Sequence, residues 1–147
     1  IPWSMALRDL RREPARGGVR EEPLRAAAAL GALGLTSWRG RSGRRYVVGV
    51  HPLTEAEALA VADAVMIAVR RDDDGIAAVV EPAAAGAGFG TAAKRAWVSR
   101  ARALGATELH VHRLAEDEGA RQAIVADLLA DEATLTGLAR DAPAPGR

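Results

Sequence analysis

The chain contains no cysteine, a single lysine and few aromatic residues. Without cysteine, disulfide staples, thiolate metal sites and cysteine nucleophiles are excluded together. Aromatics make up only 3% of 147 residues, so the 49% that is hydrophobic must build its core mainly from Ala, Val, Leu and Ile. The longest apolar stretches, such as AAAALGALGL, fall well short of the ~20 residues that span a bilayer. Nothing resembles a secretory signal with a basic start and a small-residue cleavage site. The expectation is a soluble, cytoplasmic protein with no membrane partner. The chain opens IPWSM, so Met5 reads as a native start and Ile1 to Ser4 as a remnant ahead of it.

A chain of this length builds one core and is too short for two ordinary domains. Residues 1–20, with RREPARGGVREEP running past their end, mix charge, proline and paired glycine and read as a flexible arm. Residues 21–134 read as a single domain, and 135–147, ending in APAPGR, as a disordered tail. Leu24, Ala27, Ala28, Leu30 and Leu33 recur at helical spacing, and Gly31 and Gly34 weaken and end that helix.

After it, LTSWRGRSGRRYVVGVHPL places β-formers on both sides of a Gly-Arg-Ser-Gly turn, a hairpin signal. Thr54 followed by Glu57 opens a short helix with the capping-box pattern. DAVMIAVRR and IAAVVE read as two strands joined at Asp73, Asp74 and Gly75, the second stopped by Pro82. A glycine-rich loop then leads to a helix over 91–104 ended by Gly105. TELHVHRL alternates as a strand. The last helix, over 118–130, has acidic residues at its start and an apolar face of Ala120, Ala123, Ile124, Leu128 and Leu129. Together these elements predict an α/β (α+β) domain, a small central sheet flanked by helices, its core preceded by a helix and a β-hairpin.

The formal charge of +1 conceals an asymmetry: residues 1–50 carry a net +6 and the rest a net −5. Four of the arginines, Arg39, Arg41, Arg44 and Arg45, fall within the nine residues of WRGRSGRRY. At a hairpin tip they would spread their guanidinium groups along a phosphate backbone, with Trp38 and Tyr46 either stacking on bases or buried. Burial is favoured for the rings, because a domain this poor in aromatics can hardly spare two from its core. An Arg-rich and Ala-rich composition also follows from GC-rich coding, so the number of arginines does not by itself establish a nucleic-acid partner.

Other clusters are weighed against plainer roles. Gly86, Gly88 and Gly90 precede a helix bearing Lys94 and Arg95, which suits an anion at a helix N-terminus, but the spacing fits neither nucleotide-loop pattern and a plain connection is favoured. His110 and His112 share one strand face, and no third metal ligand is placed beside them. Asp72, Asp73 and Asp74 lack the later ligands of a calcium loop and read as a solvated turn. The predicted site is therefore Arg39, Arg41, Arg44, Arg45, Lys94 and Arg95, with no cofactor and no metal.

The order of elements and the words SGRRYVVGVHPL, AVMIAVRR, IAAVVEP, GATELHVH and ARQAIVADLLAD resemble a divergent branch of the GIY-YIG nuclease superfamily, over roughly residues 37–131. That resemblance implies two core strands carrying a tyrosine each, an arginine on the first core helix, for which Arg95 would stand in, and a metal-holding glutamate on the later helix. Neither core strand here has a tyrosine, and the glutamate position falls at or near Val125. Phosphodiester hydrolysis needs a group to direct water and a charge at the developing oxyanion, and valine supplies neither. The resemblance thus implies a non-catalytic binding or interaction module, with nucleic acid the first partner. Two alternatives stay open: a nuclease that has relocated its metal to Glu81, Glu108 or Asp127, and an assembly domain whose helices over 22–33 and 118–130 pair with a protein partner or a second copy.

Overall fold

The computed structural model describes residues 18–24 and 34–129. Its order is β1 (Arg20–Glu21), β2 (Leu35–Arg39), β3 (Arg45–Pro52), α1 (Glu55–Leu59), β4 (Ala64–Arg71), β5 (Ala77–Ala85), α2 (Thr91–Ala103), β6 (Glu108–His112) and α3 (Glu118–Leu128). The strands form one antiparallel sheet ordered β1-β2-β3-β6-β4-β5. The fold is thus a small α+β one, as the alternation of patterns predicted.

Period-two alternation on β4 divides the interior into two cores. Ala64, Met66 and Ala68 face Trp97, Val98 and Ala101 of α2, whereas Val65, Ile67 and Val69 face Trp38, Tyr46, Ile124 and Leu128. A strand covered on both faces loses the polar half of its alternation, which is why AVMIAV is an unbroken apolar run. His110 pairs across from Ile67, and His112 from Val65, so both histidines point into the second core. That second face is the concave one. In a flat sheet β1 and β4, four strand spacings apart, would stand roughly 19 Å from each other. Arg71 of β4 nevertheless bonds Glu21 of β1 at 3.0 and 3.2 Å, which a curled sheet alone permits.

Several local expectations hold for identifiable reasons. Thr54 Oγ1 accepts from the Glu57 amide at 3.1 Å, while the Glu57 carboxylate turns to His51 at 3.5 Å instead of completing the capping box. Gly105, at φ +96°, ends α2, where a side chain would be strained. Asp72 Oδ1 accepts from the amides of Asp74 and Ile76, so the acidic turn is a self-bonded Asx turn on the surface.

Others are corrected. β5 runs past Pro82 to Ala85, because it is an edge strand on which a residue without an N–H can face outward. The arm expected over 1–20 falls outside the described residues as far as 17, but Arg20 already belongs to the sheet. The helix expected over 22–33 lies outside them from residue 25, and Glu22 extends the β1 pairing through its amide to Ser37 O at 2.7 Å. The tail over 135–147 also lies outside. On α3 the buried side chains are Arg121, Ile124 and Leu128, with Val125 partly buried, while Ala123 and Leu129 face solvent. The alanines left this stripe ambiguous in sequence, since a methyl group gains little from either environment.

Candidate functional site

The β2–β3 register sets three arginines side by side. Arg20 pairs with Arg39, and Arg39 with Arg45, on adjacent antiparallel strands. Like charges directly opposite repel. One carboxylate, Glu22, resolves the conflict by meeting Arg20 at 2.9 Å, Arg39 at 2.7 Å and Arg45 at 3.2 Å. The hydrogen bond from Arg39 is the main reason that its pKa lies below the ordinary carboxylate value; partial burial opposes the shift, and Arg20 and Arg45 add to it. Three guanidinium groups on one carboxylate leave a positive excess on this side of the hairpin.

The turn beyond them is pinned to α3. Gly43 donates to Gly40 O at 3.0 Å and holds φ at +93°, which favours glycine. Asp127 then takes the tip: Oδ1 accepts from the Ser42 amide at 2.7 Å, and Oδ2 from Ser42 Oγ and Tyr46 Oη, each at 2.7 Å. The Arg41 amide adds a bond to Asp127 O at 3.0 Å. A Cβ on Gly40 would overlap the Asp127 carboxylate, so only glycine admits so close an approach. Burial raises the Asp127 pKa, but the bonds from Ser42 and Tyr46 outweigh it and the net shift is downward. Tyr46 moves the other way, up to about 12, through burial first and the bond to Asp127 second.

Between the tip and α3 lies a shallow cavity of about 460 Å³, walled by Ala120, Ala123, Ile124 and Ala126, with Arg41 and Arg44 at its rim. Trp38 is fully buried and Tyr46 is 7% exposed. Neither ring is available to stack on a base, as the scarcity of aromatics predicted. Compared with family models, with curated proteins and with solved structures, the chain matches none. What the site can do follows from its own chemistry.

Of the six predicted site residues, the structure groups four on the hairpin. Arg41 and Arg44 reach solvent at the rim, and Arg39 and Arg45 share Glu22. Lys94 and Arg95 lie apart on α2: the Lys94 ammonium donates to Val61 O, and Arg95 approaches Glu55 at 3.5 Å. Arg20 was missed because its place beside Arg39 depends on strand pairing between separate segments. The three acids weighed for a relocated metal separate as well. Glu81 pairs with Arg100 at 3.1 Å, Glu108 with Arg71 at 2.9 Å, and Asp127 holds the hairpin tip. No group of three His, Asp or Glu side chains with metal-holding geometry occurs among the described residues.

His110 and His112 are both hydrogen-bonded within the second core. His110 Nδ1 accepts from Trp38 Nε1 at 2.9 Å, which leaves its proton on Nε2 to donate to Glu108 Oε1 at 2.8 Å. His112 Nδ1 lies 2.8 Å from Val47 O.

Asp127→Ala tests the lock. It strands the Tyr46 hydroxyl and the Ser42 amide, and is expected to cost about 1–3 kcal/mol. The Tyr46 pKa should fall from about 12 while staying above its ordinary value of 10, since burial persists. Ultraviolet titration of the single tyrosine reads it directly. In the unaltered protein the raised pKa predicts stability that is complete below pH 10 and lost as pH rises through about 12.

Proposed function

We propose that the protein is a binding module for nucleic acid that engages the phosphate backbone through the β2–β3 hairpin and does so without catalysis. The observation that carries this reading is the convergence of Arg20, Arg39, Arg41, Arg44 and Arg45 at one end of the hairpin, where Glu22 and Asp127 are the acids that oppose them among the described residues. Arginine forks suit phosphate oxygens, and a tip fixed to α3 through Asp127 presents them without a large ordering cost. The resemblance of the sequence to GIY-YIG nucleases is the reason for naming nucleic acid as the partner, and valine at position 125, partly buried in the second core, supports binding without hydrolysis.

The test is a salt titration of binding to DNA and RNA. Each phosphate that an arginine neutralises adds about 0.7–0.9 to the slope of log affinity against log salt, so Arg41→Ala combined with Arg44→Ala should lower that slope by about 1.4–1.8. Their exposure predicts an unchanged melting temperature. Adding Arg39→Ala and Arg45→Ala should lower the slope further. Absence of binding at low salt sinks the proposal, and altered self-association in its place points to an assembly domain.

A second reading is favoured by one observation: Tyr46, Asp127 and two arginines meet at the cavity, so a tyrosine, a carboxylate and guanidinium groups come together away from the strands where the resemblance puts them. With Mg²⁺ or Mn²⁺ present, the nucleic acid is expected to remain intact. Cleavage that disappears in Asp127→Ala would support relocated catalysis instead.

A further inference from the structure

The groove between the hairpin tip and α3 differs in kind from the arginine row, and it points to which form of nucleic acid the module takes. We propose that this groove seats one unpaired nucleotide, so that single strands are preferred over duplexes. The inference rests on the nucleic-acid reading above and adds to it a site and a specificity.

The groove is polarised across its depth. Arg41 and Arg44 stand at the rim, exposed, and among the described residues neither makes an ion pair. The rest of the lining includes Tyr46, Ala120, Ala123 and Ile124 together with Asp127. A phosphate is repelled from the depth by the Asp127 carboxylate and drawn to the rim by the guanidinium groups. The depth favours an uncharged ring. Alanine side chains leave a low apolar step on α3, and a volume of about 460 Å³, open on one side, suits a segment of chain passing over it more than a fully enclosed molecule.

Asp127 also keeps room for a ligand donor. Its Oδ2 accepts two bonds, from Ser42 Oγ and Tyr46 Oη, but Oδ1 accepts only the Ser42 amide. A carboxylate oxygen takes two. The remaining lone pair is matched by an N–H on the edge of a base, the kind of group that duplex pairing would occupy. Stacking, for its part, falls to the arginines, because Tyr46, although it lines the groove, is 7% exposed and holds its ring edge-on to His112 at 5.5 Å. Guanidinium planes stack on the faces of unpaired bases, and in a duplex those faces are already covered.

The experiment is fluorescence anisotropy with a labelled single strand of mixed sequence, about 15 nucleotides long, its RNA counterpart and the corresponding DNA duplex, at one fixed low salt concentration. The unaltered protein should bind the single strands roughly ten-fold or more tightly than the duplex. Ala123→Phe fills the groove from an exposed helix position and should weaken single-strand binding about ten-fold, with duplex binding and its salt slope unchanged. Ala96→Phe, at an exposed position of α2 outside the groove, should behave as the unaltered protein, and thermal melts of both variants confirm folding. Should Ala123→Phe melt early, Ala126→Leu fills the same groove from a neighbouring exposed position. Mononucleotides are added as competitors: displacement by them at micromolar concentration would reassign the groove to a free nucleotide. Equal affinity for single strand and duplex, or an equal loss for both in Ala123→Phe, overturns the inference while leaving the backbone-binding role intact. Absence of binding to either removes both.

Discussion

Trp38→Ala is expected to cost about 3–5 kcal/mol, a large share of the roughly 5–15 kcal/mol that stabilises an ordinary domain. Trp38 is fully buried in the core shared with Tyr46, Val48, Ile67, Ile124 and Leu128, so its removal opens a cavity beneath the hairpin. It also strips His110 Nδ1 of its donor. Trp38→Phe separates the two losses. It keeps most of the volume but leaves the same acceptor unpaired, and should cost about 1–3 kcal/mol. Urea unfolding measures both through a lower midpoint at an unchanged slope. A Phe variant as stable as the original would show that the indole bond contributes nothing net. An Ala variant losing under about 1 kcal/mol would contradict this account of the core.

Arg71→Ala should cost about 2–4 kcal/mol, between the values for exposed and buried ion pairs. Arg71 meets Glu108 through two bonds of 2.9 Å, and also reaches Glu21 and Gly75 O. It therefore closes the curl of the sheet by bridging two carboxylates. Its clearest signature is in acid. The Arg71 bonds, opposed by burial and aided by His110, hold the Glu108 pKa at about 2, below its ordinary 4.5. A depressed carboxyl pKa contributes stability that is present above 4.5 and lost as pH falls through about 2. Without Arg71 that acid-sensitive portion should shrink, so the two proteins converge in stability at low pH.

His110 adds an earlier step. Burial lowers its pKa below 6.5, against the pull of Glu108, so the folded protein resists taking up its proton. That contribution is lost as pH falls from 6.5 towards the depressed value. The unaltered protein should therefore weaken in two stages on acidification, and Arg71→Ala should lose mainly the second. A midpoint independent of pH from about 7 to about 3 would show that neither group is perturbed.

The amino-acid sequence by itself determined the local elements: the hairpin flanked by β-formers, the acidic Asx turn, the Gly105 helix end and the burial of the scarce rings. Each follows from interactions within a few residues or from composition, and none depends on how the chain closes. It also determined that Arg41 and Arg44 share a turn tip. Tertiary structure alone decided that Arg20 joins Arg39 and Arg45 around Glu22, because strand register is set by pairing between distant segments. It likewise decided that Lys94 and Arg95 stand apart on a helix of the other core, and that Asp127, 85 residues from Ser42, locks the hairpin. Sequence spacing could not locate that carboxylate. Its partners are brought to it only when the sheet curls and α3 closes over the concave face, a cooperative burial that no local pattern encodes.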